Sequence, residues 1–241
     1  MDGAFLTETM SKLLVVLPLT ILLWVLSISI GGVLAVGLTW MRARRRPVLQ
    51  RIARGYIFMF RGSPLLVQMF LIYYGLGQFA WMRASVLWPV LRDPFWCAVI
   101  SLALCTAAYT AEIFRGGLIA VPGQQIEAAR ACGMSGFLLF RRVIAPLALR
   151  AALPAYSTEL VLMMKSTSLA SLVTVWEVTG TAQRIIHTTY RTFEVFFCAA
   201  LIYLILNFLI VRALGLLEYR LSAHMRARPT PSRPRLPAIA A

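Results

Sequence analysis

Charge is scarce in these residues: Asp, Glu, Lys and Arg make up only 14% of the chain, where a soluble domain carries about a quarter. Acidic residues number nine in 241, which leaves little for paired-carboxylate chemistry. Histidine occurs twice, at His187 and His224, far apart in the chain. The four cysteines, Cys97, Cys105, Cys132 and Cys198, have neither metal-ligand nor redox spacing, so no metal site is expected. There are two lysines, neither follows a glycine, and no Gly-x-x-x-x-Gly-Lys-Ser/Thr run occurs, so nothing in this chain is expected to cradle ATP phosphates. A nucleophile with a credible base beside it is also missing, which argues against an intramembrane enzyme.

What is abundant is apolar: 60% of the residues are hydrophobic. Five segments read as membrane spans. Leu13 to Met41 gives 29 residues without charge, where about 20 suffice to cross a bilayer. Gly62 to Met82, Pro94 to Ala111 and Val195 to Val211 follow the same pattern, while Ala151 to Trp176 is apolar but interrupted by Glu159 and Lys165. The first segment is too long for the core of a signal peptide and has no basic run before it, so it is expected to be retained. The expected fold is therefore all-α, with five transmembrane helices in a single domain over residues 1–227. The Pro- and Arg-rich stretch 228–241 is expected to be disordered.

The formal net charge of +15 suggests nucleic acid until the arginines are placed. Of the 24 basic residues, 17 fall in the first loop, the third loop and the tail. That asymmetry is what insertion produces, and it puts the amino terminus outside and the carboxyl terminus in the cytoplasm, with no nucleic-acid partner. The first loop, Arg42 to Arg54, reads as a short basic elbow, and the second, Arg83 to Asp93, as a turn around Pro89. The third runs from Arg115 to about Pro146, long enough to be structured. Pro122 suits a helix start, Glu127 and Arg130 share one face, and Gly133 suits a C-terminal cap. A second amphipathic stretch, Ser135 to Ile144, leads to Pro146, which is expected to bend the chain into the fourth span.

The run Ile126-Glu127-Ala128-Ala129-Arg130-Ala131-Cys132-Gly133, followed nine residues later by Val143-Ile144-Ala145-Pro146, closely resembles the EAA loop of permease subunits in binding-protein-dependent ABC importers. That pattern is Glu-Ala-Ala, three residues, Gly, nine residues, then Ile-x-Leu-Pro. Val143 and Ala145 depart from it but remain apolar. Three further runs resemble the polar amino-acid branch of that family: Phe60 to Gln68, Ala108 to Gly117, and Lys165 to Leu169. Leu153 to Glu159 is most like the M-type subunit of histidine, lysine, arginine and ornithine importers.

The resemblance implies a bacterial inner-membrane subunit that works beside a second permease subunit, identical or related. It also implies two ATPase subunits that bind ATP and Mg, and a periplasmic or extracytoplasmic solute-binding protein. The expected substrate is a polar, cationic amino acid or an opine. Glutamate or glutamine is the rival within the family, and a proton-coupled carrier or channel the rival outside it.

Glu127, Ala128, Ala129, Arg130 and Gly133 are expected to seat in a groove of the ATPase, the charged pair setting orientation and the small residues allowing close approach. A surface helix resting on lipid headgroups is the plainer alternative. Glu159 lies 13 residues after Pro146, which at about 1.5 Å per residue sets it roughly 20 Å above the cytoplasmic interface. A carboxylate at that depth is costly without a polar cavity or a partner. It is expected to meet the cationic end of a substrate, with Met163 and Ser166 on the same helical face. Lys165, or the backbone of Ser166, Thr167 and Ser168 if they unwind the helix, is expected to turn towards a substrate carboxylate. Plainer readings are a structural ion pair for Glu159 and a snorkelling side chain for Lys165. Arg61 and Glu112 are expected to form a buried structural pair. Gly31-Gly32 and Gly75-x-Gly77 are expected to let helices approach closely.

Overall fold

The computed structural model describes residues 2–44 and 46–221, without the side chain of Leu221. The tail expected to be disordered lies outside the described residues. Among the described residues there are helices and turns but no strand.

Helix α1 (Gly3–Ala43) is opened by Asp2, whose carboxylate accepts from the amide of Ala4 at 3.1 Å. Its buried positions, Leu13, Thr20, Leu23, Ser27, Gly31, Ala35 and Thr39, recur at helical spacing and make one stripe. That stripe is narrow, and the opposite face is exposed on this subunit, with Val15 at 79%. Helix α2 (Pro47–Gly62) starts inside what reads in sequence as a loop. Pro47 occupies its first turn, where the missing amide costs nothing. Pro64 then forces Ser63 into extended backbone and the chain turns through 104° into α3 (Leu65–Phe70). A π-turn at Leu71–Gly75 and a 3-10 turn at Leu76–Gln78 continue α3. The second predicted span is thus the upper arm of a bent pair and not a straight helix. The turn around Pro89 resolves into two short helices, α4 (Ala80–Arg83) and α5 (Trp88–Leu91).

Helix α6 (Pro94–Ile119) is the central post, largely buried and built of Ala, Ser, Cys and Thr. Small side chains let its neighbours close in. At Gly31, a Cβ would overlap the methyl of Thr106 and come within 2.8 Å of the Ala103 carbonyl; at Gly117 one would overlap the Ala148 carbonyl and come within 2.9 Å of the Ala152 Cβ. These two glycines set the contacts of α6 with α1 and with α9.

After α6 come α7 (Gly123–Ala131) and α8 (Gly136–Leu139), then a π-turn at Phe140–Ile144 that runs directly into α9 (Ala145–Ser166). Pro146 sits in the first turn of α9, and the widened turn before it absorbs the lost hydrogen bond. Helix α9 tightens into a 3-10 segment, Thr167–Val173, and stops at Thr174 with φ +62°. Helix α10 (Val178–Thr189) follows where the sequence suggests an outer loop, and α11 (Thr192–Leu221) closes the bundle. Leu13, Met164, Val178, Val195 and Ile202 form the core that joins α1, α9, α10 and α11. Arg191 reaches Asp2 at 3.7 Å and lies 4.1 Å over the ring of Phe5, so α1 and α11 begin side by side.

By length and apolarity, α1, α6 and α11 are long enough to cross a membrane, and the bent α2–α3 pair adds a fourth crossing if taken as one.

Candidate functional site

Helix α7 is short, and its C-terminal end is closed by a pair of backbone hydrogen bonds. Pro122 caps its start with extended backbone, and Gly133 ends it at φ +81°. The amide of Gly133 bonds the Arg130 carbonyl at 2.9 Å, and that of Met134 bonds the Ala129 carbonyl at 3.0 Å. That paired closure needs a left-handed residue at position 133, which glycine takes without strain. Glu127, Ala128 and Arg130 are exposed, and among the described residues neither charge has an ion-pair partner. Ala129 is 8% exposed, so it faces the body of the subunit and not the outer face expected of it. Beyond Gly133, Phe137, Leu138 and Phe140 are exposed and extend the outer surface with apolar side chains.

Glu159 projects from α9 against α6 and is 7% exposed. One of its oxygens accepts from the hydroxyl of Thr106 at 2.8 Å; among the described residues the other accepts no hydrogen bond. Met163 stands one turn on, on the same side, packed with Leu23, Met69 and Leu102. The Ser166, Thr167 and Ser168 hydroxyls all return to carbonyls of their own helix, those of Leu162, Met164 and Lys165. The backbone leaves α-geometry at Thr167, as the run of hydroxyl residues suggests, but it tightens into a 3-10 helix and does not unwind. Lys165 is exposed, away from Glu159. The structure therefore brings Glu159 and Met163 together and leaves Lys165 apart.

The pair expected between Arg61 and Glu112 does not form. Glu112 is instead held from both sides: Arg42 Nη1 lies 2.5 Å from one oxygen and Arg115 Nη2 2.7 Å from the other. Arg61 stacks on Tyr109, its guanidinium carbon 5.0 Å from the ring centre. The reason is geometric. Arg115 is three residues from Glu112 on α6, and Arg42 ends the helix packed most closely on α6, so the nearer cations win.

A second buried carboxylate carries no warning in the sequence. Glu177 is fully buried and caps α10, accepting from the amides of Thr179 and Gly180 at 2.9 Å each and from the Tyr203 hydroxyl at 2.8 Å. Glutamate is not a preferred cap, and Tyr203 is distant in sequence, so no local signal points to this site.

An all-helical bundle of long apolar helices, closely packed through small residues, defines a helical membrane subunit. The chain belongs to the family of binding-protein-dependent transport system inner membrane components, whose pattern matches residues 27–223. It is a permease subunit of an ABC transporter, a transport component and not an enzyme, and membership implies an ATPase and a solute-binding protein as partners. An octopine transport system permease protein of Rhizobium radiobacter is 57% identical over 220 residues, covering 91% of this chain and 90% of that one. A nopaline transport system permease protein of Agrobacterium fabrum is 50% identical, with 95% of each chain covered. A histidine/lysine/arginine/ornithine transport system permease protein of Escherichia coli is 39% identical, covering 88% of this chain and 90% of that one. Among solved structures, an amino acid ABC transporter with histidines matches at a TM-score of 0.81 and 33% identity, over 91% of this chain and 99% of that one. A methionine ABC transporter in an inward-facing state shares the fold at a TM-score of 0.62 and 18% identity, over 92% of this chain and 99% of that one.

Proposed function

We propose that this chain is the five-span half of an importer for opines and cationic amino acids. The spans are α1, the bent α2–α3 pair, α6, α9 with its 3-10 extension, and α11. The amino terminus lies outside and the carboxyl terminus in the cytoplasm. The parallel start of α1 and α11 supports an odd number of crossings. The chain pairs with a second permease subunit, two ATPases bind ATP and Mg below, and a solute-binding protein docks above. Helix α7 seats in a groove of the ATPase, with Glu127 and Arg130 available to an outside partner because, among the described residues, neither is in an ion pair.

The observation that carries the substrate class is the 57% identity to an octopine permease over nine-tenths of both chains. Glu159 supplies the matching chemistry: Thr106 orients one carboxylate oxygen and the other is left for a guanidinium or ammonium group. Alternating access then works on a buried charge, and solute release follows when movement of α9 changes what Glu159 meets.

Uptake into vesicles holding the complete transporter tests the reading. ATP-dependent accumulation of arginine, blocked by octopine or nopaline and not by glutamate, is expected; accumulation without ATP, or block by glutamate alone, overturns it. Glu159→Gln is expected to weaken inhibition by the cationic competitors about tenfold or more, the loss of one charge-assisted contact. Unchanged affinity would remove Glu159 from the substrate path.

A further inference from the structure

Arg54 and Arg61 lie seven residues apart on α2, two turns along one face. With Arg42 from the last turn of α1, and Tyr109 and Glu112 from α6, they line an open cavity of about 500 Å³. Three guanidinium groups meet a single carboxylate there, and both oxygens of that carboxylate are taken by Arg42 and Arg115. Arg54 bonds the side-chain carbonyl of Gln50 at 3.1 Å, and Arg61 rests on Tyr109. Among the described residues neither forms an ion pair; the charge of Arg61 reaches Glu112 and Glu159 without contact, and Arg54 is left without a carboxylate. The wall between them is apolar, formed by Ile57 and by Phe58, which is 82% exposed.

Guanidinium groups beside an apolar surface are costly unless an anion answers them. Two arginines on one helix face, both lining the same cavity, bring two planar forks within its reach, and a fork matches a phosphate oxygen pair better than a point charge does. The apolar wall beside the forks separates an amphiphile from a free ion, and a basic pocket between helices at a membrane surface is where anionic headgroups bind. We propose that this cup holds the phosphate of an anionic phospholipid from the leaflet in which α1 ends, with the headgroup between Arg54 and Arg61 and the acyl chains along Ile57 and Phe58. The lipid fills the angle where α2 meets α6 and braces the bend at Ser63 and Pro64. The site depends on membrane insertion and not on which solute is carried.

The complete transporter is placed in nanodiscs of phosphatidylcholine containing a minority of phosphatidylglycerol, and retained lipid is counted by native mass spectrometry after release. Phosphatidylglycerol enriched over phosphatidylcholine is expected for the unaltered protein. R54Q/R61Q is expected to cut that enrichment about thirtyfold, the attraction of two arginines for an anionic headgroup. R51Q, on the same helix but outside the cup, is expected to leave it nearly unchanged. Absence of enrichment in the unaltered protein overturns the proposal without reference to any variant, as does full retention by R54Q/R61Q. Release of the lipid by inorganic phosphate alone would make this a free-anion site and overturn the lipid assignment. If R54Q/R61Q does not assemble, R54K/R61K keeps both charges and loses both forks: intermediate enrichment supports the proposal, and full enrichment overturns the fork geometry.

Discussion

Two buried carboxylates separate structural from mobile roles by how completely their oxygens are used. Glu177 has both oxygens bonded, by two amides and a tyrosine, and so belongs to the scaffold. Glu177→Ala is expected to destabilise the assembled transporter by about 2 kcal/mol, through a lost cap and a lost bond from the Tyr203 hydroxyl, which keeps only Thr179, read as a lowered midpoint in denaturant. Glu159, with one oxygen unclaimed, is the group suited to a changing partner. Glu112 is scaffold again. Exchange of charge between Arg42 and Glu112 is expected to recover part of the stability lost in either single reversal, whereas exchange between Arg61 and Glu112 is expected to recover none; equal recovery in the two double variants would contradict the pairing. Glu112 and Glu159 stand out in the sequence because ionisable groups are rare inside spans, whereas Glu177 does not. Their partners do not, since Arg42, Thr106 and Tyr203 are chosen by packing across the bundle.

Helix α7 was legible because its signals are local. A proline before it, small residues within it and a glycine after it act over one or two turns; the structure makes Pro122 the extended N-cap, one place before the first turn expected of it, and gives Gly133 the left-handed conformation of a C-terminal cap. Gly133→Val is expected to cost about 1–2 kcal/mol in the left-handed closure and to lower ATP-driven transport while membrane insertion stays normal. Glu127→Lys tests the outer face directly: transport per ATP hydrolysed is expected to fall about tenfold, equivalent to roughly 1.4 kcal/mol at the joint between subunits. Loss of insertion along with transport would make either residue structural. The bend between α2 and α3 was not legible in the same way. Ser63-Pro64 signals a break, but a stretch of uncharged residues across it reads equally well as one span. Helix α10 was hidden for a related reason: its cap is made by an unusual residue and its stability by a distant tyrosine.

For the whole molecule, the cysteines report orientation. Cys132 is exposed at the end of α7, while Cys97, Cys105 and Cys198 are buried. A membrane-impermeant maleimide is expected to label Cys132 in inside-out vesicles and not in right-side-out cells, and bound ATPase is expected to protect it. Labelling from outside would reverse the topology. Composition and the long uncharged runs were enough, by themselves, to determine a helical membrane subunit, because a run of that length satisfies its own backbone in lipid only as a helix. The run from Pro122 to Gly133 marked the short helix α7, because its start and stop signals are neighbours in the chain. Only the tertiary structure decided which cation holds Glu112, that Lys165 stands apart from Glu159, that Ala129 faces inward, and that three arginines share one cavity. Those are contacts between helices, and a helix's own periodicity says which face is buried but not what is buried against it.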